Sequence, residues 1–168
     1  MIMQRHAGVS KLRPGQFEFL SAAVTPAARV LEVGTLHGVT AAKLAGKHPN
    51  ARVLSVDIFV GVNPECWLAN HRSNQTLFVG TVQDLAALQP AVRFDVIFVD
   101  ADHRYEPCKR DLKTALTLLA PGGRLFAHDY GQAADWKWPG VTRAVDELCA
   151  EHGLRVIGRE TSLVEIGP

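Results

Sequence analysis

Four acidic residues close runs of aliphatic and β-branched residues. Glu32 lies in Val30-Leu31-Glu32-Val33-Gly34, Asp57 ends Arg52 to Asp57, Asp100 ends Phe94 to Asp100, and Asp129 follows Arg124 to His128. A carboxylate at a strand end can accept two hydrogen bonds from a vicinal diol, pair with an ammonium, or bind a hard divalent cation. Each acid alone could simply cap a loop. Four at four strand ends exceed what capping requires and favour a ligand site there.

The first run leads into Gly34 and Gly38, spaced G-x-x-x-G. This is not the G-x-G-x-x-G pattern that brings a backbone close to a pyrophosphate. Gly34 permits a tight reversal, and Gly38 is expected to let the next backbone pass close to a ligand. The unpaired amides opening the following helix, Val39 to Gly46, welcome a carboxylate or phosphate. The amino-acid end of S-adenosyl-L-methionine (SAM) needs one turn and a nearby carboxylate for its ammonium, and Glu32 stands where that carboxylate belongs. An ordinary strand-end glutamate is the alternative. Asp57 follows Gly34 at the β-α-β spacing at which an acid reaches a ribose diol. Its alternative is a loop cap.

Asp100, Asp102, His103, His128 and Asp129 form a candidate divalent-metal group. His128 could equally be a satisfied core histidine. Gln83, in the turn Gly80 to Asp84, could meet an adenine edge, or be a surface residue.

Elements that position these residues follow from periodicity. Residues 1–14 read as a polar arm and 15–168 as one domain. Gln16 to Val24 is a helix with Phe17, Leu20 and Val24 on one face. Strands are expected at Arg29–Val33, Arg52–Asp57, Thr76–Val79, Phe94–Asp100 and Arg124–Ala127, and a C-terminal antiparallel hairpin at Leu154–Gly158 and Ser162–Ile166. Helices lie between them: Tyr105 to Leu119, stopped by Pro121-Gly122-Gly123, and one carrying Val141, Ala144, Val145, Leu148 and Cys149. The segment Gly61 to Asn74, with Trp67, and the loop Gly131 to Pro139, with Trp136 and Trp138, are expected to wall a bound substrate, or to be plain packing. Alternating strands and helices closing in a hairpin describe an open α/β sheet.

Composition narrows the partners. Net charge is +1, with 47% apolar and 21% charged residues, a balance that gives no reason to expect a nucleic-acid or membrane surface. Cys66, Cys108 and Cys149 are three, widely spaced and without C-x-x-C, so they read as buried or free thiols of a cytoplasmic protein. No apolar run approaches the roughly 18 residues that cross a bilayer.

Leu31-Glu32-Val33-Gly34, Ser55-Val56-Asp57, the segment Phe94 to Tyr105, Pro121-Gly122-Gly123, His128-Asp129-Tyr130 and Trp138-Pro139-Gly140-Val141 together resemble the class I SAM-dependent methyltransferases. More narrowly, they resemble small-molecule O-methyltransferases with D-x-D-H-x-Y and H-D-Y segments. The resemblance implies a Rossmann-like, mostly parallel seven-stranded sheet of order 3-2-1-4-5-7-6, with strand 7 antiparallel and helices on both faces. It implies that Glu32, Gly34, Thr35 and Gly38 lie along the methionine part of SAM, with Thr40 near its carboxylate. Asp57 would bind the ribose, Ile58, Val82 and Gln83 would border the adenine, and Asp100 would touch the cofactor.

Caffeoyl-coenzyme-A and catechol O-methyltransferases are similar in this half. They bind Mg²⁺ through the acid matching Asp100 and an Asp-Asn pair matching Asp129-Tyr130, with a lysine base where this chain has His103. Tyr130 replaces the Asn, and histidine replaces the lysine. The resemblance implies His103 as base, with Asp100 and Asp129 orienting a small-molecule acceptor directly or through Mg²⁺ or another divalent cation. A second copy of the chain is a candidate to complete the acceptor wall. The alternatives are a SAM-binding module without chemistry and a nicotinamide-dependent oxidoreductase.

Overall fold

The computed structural model describes residues 12–131 and 139–168. Most of the predicted arm, and Trp136 and Trp138 of the predicted acceptor wall, lie outside the described residues. Leu12 is already buried in the core and Pro14 opens the first helix, so the last residues of the arm segment belong to the domain.

Strands β1 (Arg29–Val33), β2 (Arg52–Asp57), β3 (Gln75–Val79), β4 (Phe94–Val99), β5 (Leu119–Ala127), β6 (Arg155–Glu160) and β7 (Leu163–Gly167) form one sheet. Its order is β3-β2-β1-β4-β5-β7-β6. β1 to β5 pair in parallel, and β7 runs antiparallel to both β5 and β6. Helices α1 (Pro14–Ser21), α2 (Val39–Lys47), α3 (Pro64–Asn70), α4 (Val82–Leu88), α5 (Tyr105–Leu118) and α6 (Pro139–His152) connect the strands.

Two cores result because successive strand residues point to opposite faces. Leu31, Val33, Ile97, Val99, Leu125 and Ala127 pack under α4, α5 and α6. Val30, Val96, Phe98 and Phe126 pack under α1 and α2, against Leu20, Ala41 and Leu44. Residues of α5 at helical spacing, Cys108, Leu112, Ala115 and Leu118, are buried. By the same alternation Glu32 shares a face with Val30. A carboxylate therefore occupies what would otherwise be a core position.

Several boundaries differ from expectation by one to three residues, with α1 at Pro14–Ser21 rather than Gln16 to Val24 and β3 starting at Gln75 rather than Thr76, and one differs by more. β5 begins at Leu119, not Arg124, because Leu119 leaves α5 with an extended backbone and pairs with Phe94. Pro121-Gly122-Gly123 therefore lies inside the strand, near a register shift, rather than terminating the helix. The hairpin lies one residue later at its start, with β6 at Arg155–Glu160 and β7 at Leu163–Gly167. Among the described residues no helix is long and apolar enough to cross a membrane. All three cysteines are free, with Cys108 buried.

Candidate active site

One cavity of about 960 Å³ runs along the carboxyl ends of the strands, within the size range of small-molecule sites. It spans the point where the chain reverses direction across the sheet, between β1 and β4. Of the residues expected to bind cofactor or act in catalysis, all but Gly38 line it.

The turn after β1 is built by close backbone approach. Gly34 has φ of +89°, and a Cβ there would overlap the Asp100 carbonyl oxygen and lie 2.7 Å from Cα of Ala101. Gly34→Ala is expected to lower stability by about 1–3 kcal/mol from backbone strain alone, and more from the overlap; urea unfolding measures it. Gly38 has a different task from the one expected. It caps α2 in the left-handed conformation, φ +72°, and a Cβ there would lie 2.8 Å from the Trp67 ring. Its missing side chain makes room for tryptophan. Trp67 is itself buried, packs on Gly38 and His71, and does not line the cavity. It is a packing residue rather than part of an acceptor wall.

Asp57 clamps this turn. Its Oδ2 accepts from the backbone N–H of Thr35 at 2.8 Å and of Leu36 at 3.0 Å, and its Oδ1 accepts from Phe59 N–H at 2.7 Å. The loop-cap reading of Asp57 therefore holds, and Oδ1, with one of these three bonds, retains a second lone pair. Thermal unfolding of Asp57→Ala should show a loss of about 1–3 kcal/mol, since three amides lose their acceptor.

Glu32 lies between Ser55 of β2 and Phe98 of β4 in the sheet register. It is 1% exposed, and its Oε2 accepts a 2.9 Å hydrogen bond from Ser55 Oγ. Burial pushes its carboxyl up to about 7, further supported by the charges of Asp100 and Asp57. A buried acid so poised is primed for a cationic partner. A serine inside an apolar strand is a readable signal of such a buried partner, and no role was expected of Ser55 itself.

At the adenine-side end, Ile58 is exposed at the cavity mouth, and Val82, the first residue of α4, is buried against the cavity. The Thr81–Asp84 capping box fixes the start of α4. Gln83 turns its amide nitrogen onto α5, donating to Asp111 at 2.9 Å and Thr114 at 3.2 Å. It is thus neither a free surface residue nor an amide wholly available to a ligand. Asp111 also lines the cavity, and burial raises its carboxyl above the usual range. Nothing in the sequence distinguished it from other helical acids.

Beyond the turn, two histidines flank two carboxylates. His103 Nε2 lies 2.8 Å from Asp129 Oδ2 and 3.6 Å from Asp100 Oδ1. His128 Nδ1 lies 3.3 Å from the same Asp100 oxygen and 3.4 Å from the same Asp129 oxygen. Asp129 holds a left-handed backbone, φ +62°, a strained conformation that turns it back over the sheet end. The Asp100 and Asp129 carboxylates raise His103 to about 9. Burial pushes His128 down, but the same carboxylates prevail and raise it to about 9. Against burial, the two imidazoles hold Asp100 and Asp129 below the usual carboxylate range. A base whose ordinary value is 6.5 is thus carried well above neutrality. In this arrangement it is an imidazolium at pH 7.

Asp100, His103 and Asp129 each offer one ligand atom within 4.8 Å of the others. Two carboxylates and an imidazole fit a divalent cation. Tyr130, at the position of the Asn ligand in metal-binding relatives, instead donates its hydroxyl to Asp146 at 2.9 Å. Asp102 is engaged by Arg104 through four contacts and takes no part in the group.

A family model described as a methyltransferase domain matches residues 31–130, the stretch holding the Gly34 turn and all four strand-end acids. The chain belongs to this methyltransferase family. No curated protein matches it. Among solved structures it resembles a Klebsiella pneumoniae protein provisionally classed as an O-methyltransferase, at 23% identity and TM-score 0.76, covering 96% of this chain and 84% of that one. An O-methyltransferase from Bacillus cereus in complex with S-adenosylhomocysteine (SAH) follows at 21% identity and TM-score 0.71, with 94% and 83% covered. The N-methyltransferase NodS from Bradyrhizobium japonicum shares the fold at 20% identity and TM-score 0.64, with 90% and 92% covered. One methyltransferase fold thus serves acceptors of both kinds, and the acceptor atom must be argued from the site. The family match, with its two-glycine turn, sets aside the nicotinamide alternative.

Proposed function

We propose that this methyltransferase transfers the sulfonium methyl group of SAM to an oxygen of a small-molecule acceptor. The observation that carries this is the cavity itself. On one side of the switch point it holds a buried glutamate and a clamped glycine turn, and on the other a carboxylate–histidine cluster.

In this reading Glu32 pairs with the SAM ammonium, and the open start of α2, with Thr35 and Thr40, receives its carboxylate. Asp57 Oδ1 accepts from the ribose, and Ile58, Val82 and Gln83 border the adenine. Asp100 stands at the junction, since its backbone touches Gly34 and its side chain belongs to the histidine cluster. The acceptor hydroxyl enters beside His103 and Asp129 and is held in line with the S–CH₃ bond, so alignment supplies much of the rate. The acceptor oxygen forms a bond to the methyl carbon as the sulfonium bond breaks to give neutral SAH. The hydroxyl proton passes to neutral His103.

A cluster built to take a proton suits a hydroxyl, which must lose one, better than an amine, and this favours oxygen. Asp100 and Asp129 would hold a divalent cation if one is used, and the ion would supply Lewis-acid polarisation of the acceptor oxygen.

Calorimetric titration with SAH, NAD serving as control, tests the cofactor. Saturable binding of SAH but not NAD is expected. A subsequent screen of hydroxylated and amine acceptors with SAM tests the chemistry. Binding without turnover of any acceptor would favour the non-catalytic module, and exclusive turnover of amines would overturn the oxygen assignment.

A further inference from the structure

Gln16 lies on α1, outside residues 31–130 matched by the family, yet it is 2% exposed and lines the cavity. A buried amide must satisfy both of its ends. Its orientation is settled by partners whose roles cannot be exchanged. The Arg13 backbone N–H can only donate, and it meets Oε1 at 2.9 Å. The Glu160 carbonyl can only accept, and it lies 3.5 Å from Nε2, which also donates to Ser162 Oγ at 3.0 Å. The atom facing His128 Nε2, at 3.4 Å, is therefore the carbonyl oxygen Oε1. Opposite an oxygen acceptor, the His128 Nε2 must carry a hydrogen.

From this geometry we propose that Gln16 is a positioning residue of the acceptor site, which fixes the His128 ring and, through it, the two carboxylates that aim His103. This rests on the methyl-transfer reading of the site. With Nε2 turned to Gln16, Nδ1 is presented to Asp100 Oδ1 at 3.3 Å and Asp129 Oδ2 at 3.4 Å, within ion-pair distance of both. These are the same two oxygens that face His103 Nε2 from the other side. Rotation of the His128 ring would therefore move the oxygens that orient His103. Gln16 is in turn anchored to the β6–β7 turn by Ser162 and Glu160. The helix before the family core and the hairpin after it thus meet at one amide to brace the cluster.

The test is a long-range ¹H–¹⁵N correlation spectrum of the histidine rings in the SAH complex, for wild type, Gln16→Met and Gln16→Glu. A protonated Nε2 on His128 is expected in wild type, with its signal shifted in Gln16→Met, which keeps the volume but removes the acceptor. Gln16→Glu, which keeps an oxygen opposite Nε2, is expected to restore the signal. In methyl transfer to an acceptor found by the screen above, Gln16→Met should lower kcat about 10- to 100-fold with KM for SAM unchanged. An unprotonated Nε2 in wild type, or a His128 spectrum indifferent to Gln16→Met, would overturn the proposal. Failure of wild type to bind SAH would instead strike the methyl-transfer reading, and the ring spectrum of the SAH-free protein would still decide the role of Gln16.

Discussion

His103→Ala is expected to lower methyl transfer by about 10²- to 10⁴-fold, the range typical for removing a positioned proton acceptor. SAH affinity should stay near the wild-type value, because His103 lies on the acceptor side of Asp100. Titrations of the variant with SAH and single-turnover rates separate the two effects. A variant that still turns over at the wild-type rate would remove His103 from the mechanism.

The pH profile carries the sharper form of this prediction. Asp100 and Asp129 face His103, with His128 on the same two carboxylate oxygens, and the carboxylates keep it protonated up to about 9. Only neutral His103 can accept a proton. The rate of the metal-free enzyme should therefore rise tenfold per pH unit below about 9 and level above it. A flat profile between pH 6 and 9 would contradict the assignment. A divalent cation on Asp100 and Asp129 would compete with the imidazolium charge and shift the rise to lower pH.

The same cluster shapes stability. His103 and His128 titrate above their ordinary 6.5, so their contribution is complete below that value and is lost as pH climbs through about 9. Asp100 and Asp129 titrate below their ordinary 3.8, and their contribution disappears as acid protonates them. Thermal unfolding should therefore peak between these limits and fall on both sides.

The second large effect belongs to Glu32. Glu32→Gln keeps the size and the hydrogen bond from Ser55 but removes the charge proposed to meet the cofactor ammonium. Loss of one member of a buried charge pair costs about 2–5 kcal/mol, or roughly 30-fold or more in SAH affinity. Wild-type affinity should also weaken as pH falls below about 7, where a proton occupies Glu32 in place of the ammonium's attraction. Glu32→Gln should abolish that pH dependence.

The sign for stability is opposite to that for binding. A buried carboxyl raised from 4.5 to about 7 disfavours the folded state increasingly as pH rises through that interval. The unliganded Glu32→Gln protein is thus expected to be at least as stable as wild type at pH 8. A variant that loses stability while binding SAH normally would show that Glu32 is architecture and not a cofactor ligand.

Much of this molecule was legible from local pattern. Strand β4 declared itself as a continuous apolar run because both its faces are covered, and the helical spacing of Cys108, Leu112, Ala115 and Leu119 predicted a buried stripe on α5 that holds for the first three, Leu119 opening β5 instead. The acids at the strand ends converge because parallel strands carry their carboxyl ends to the same edge, a rule that needs no coordinates. The sheet order was implied by family resemblance, not by periodicity, since strand neighbours are not written in any local pattern.

Other features were decided only by packing in three dimensions. Gly38 and Trp67 are far apart in sequence, and only their contact showed that one makes room for the other. That Asp57 also clamps three amides of two neighbouring loops could not be read from its place at a strand end. The charge state of His103 follows from two carboxylates on different strands, which spacing along the chain does not reveal. Gln16 and Ser162 lie 146 residues apart yet share a hydrogen bond beside the cluster. By itself the sequence determined which elements form and which acids reach the site edge, because those depend on neighbouring residues and strand direction. Tertiary structure decided what each acid, glycine and histidine does there, because partners, burial and the resulting protonation arise only between distant segments.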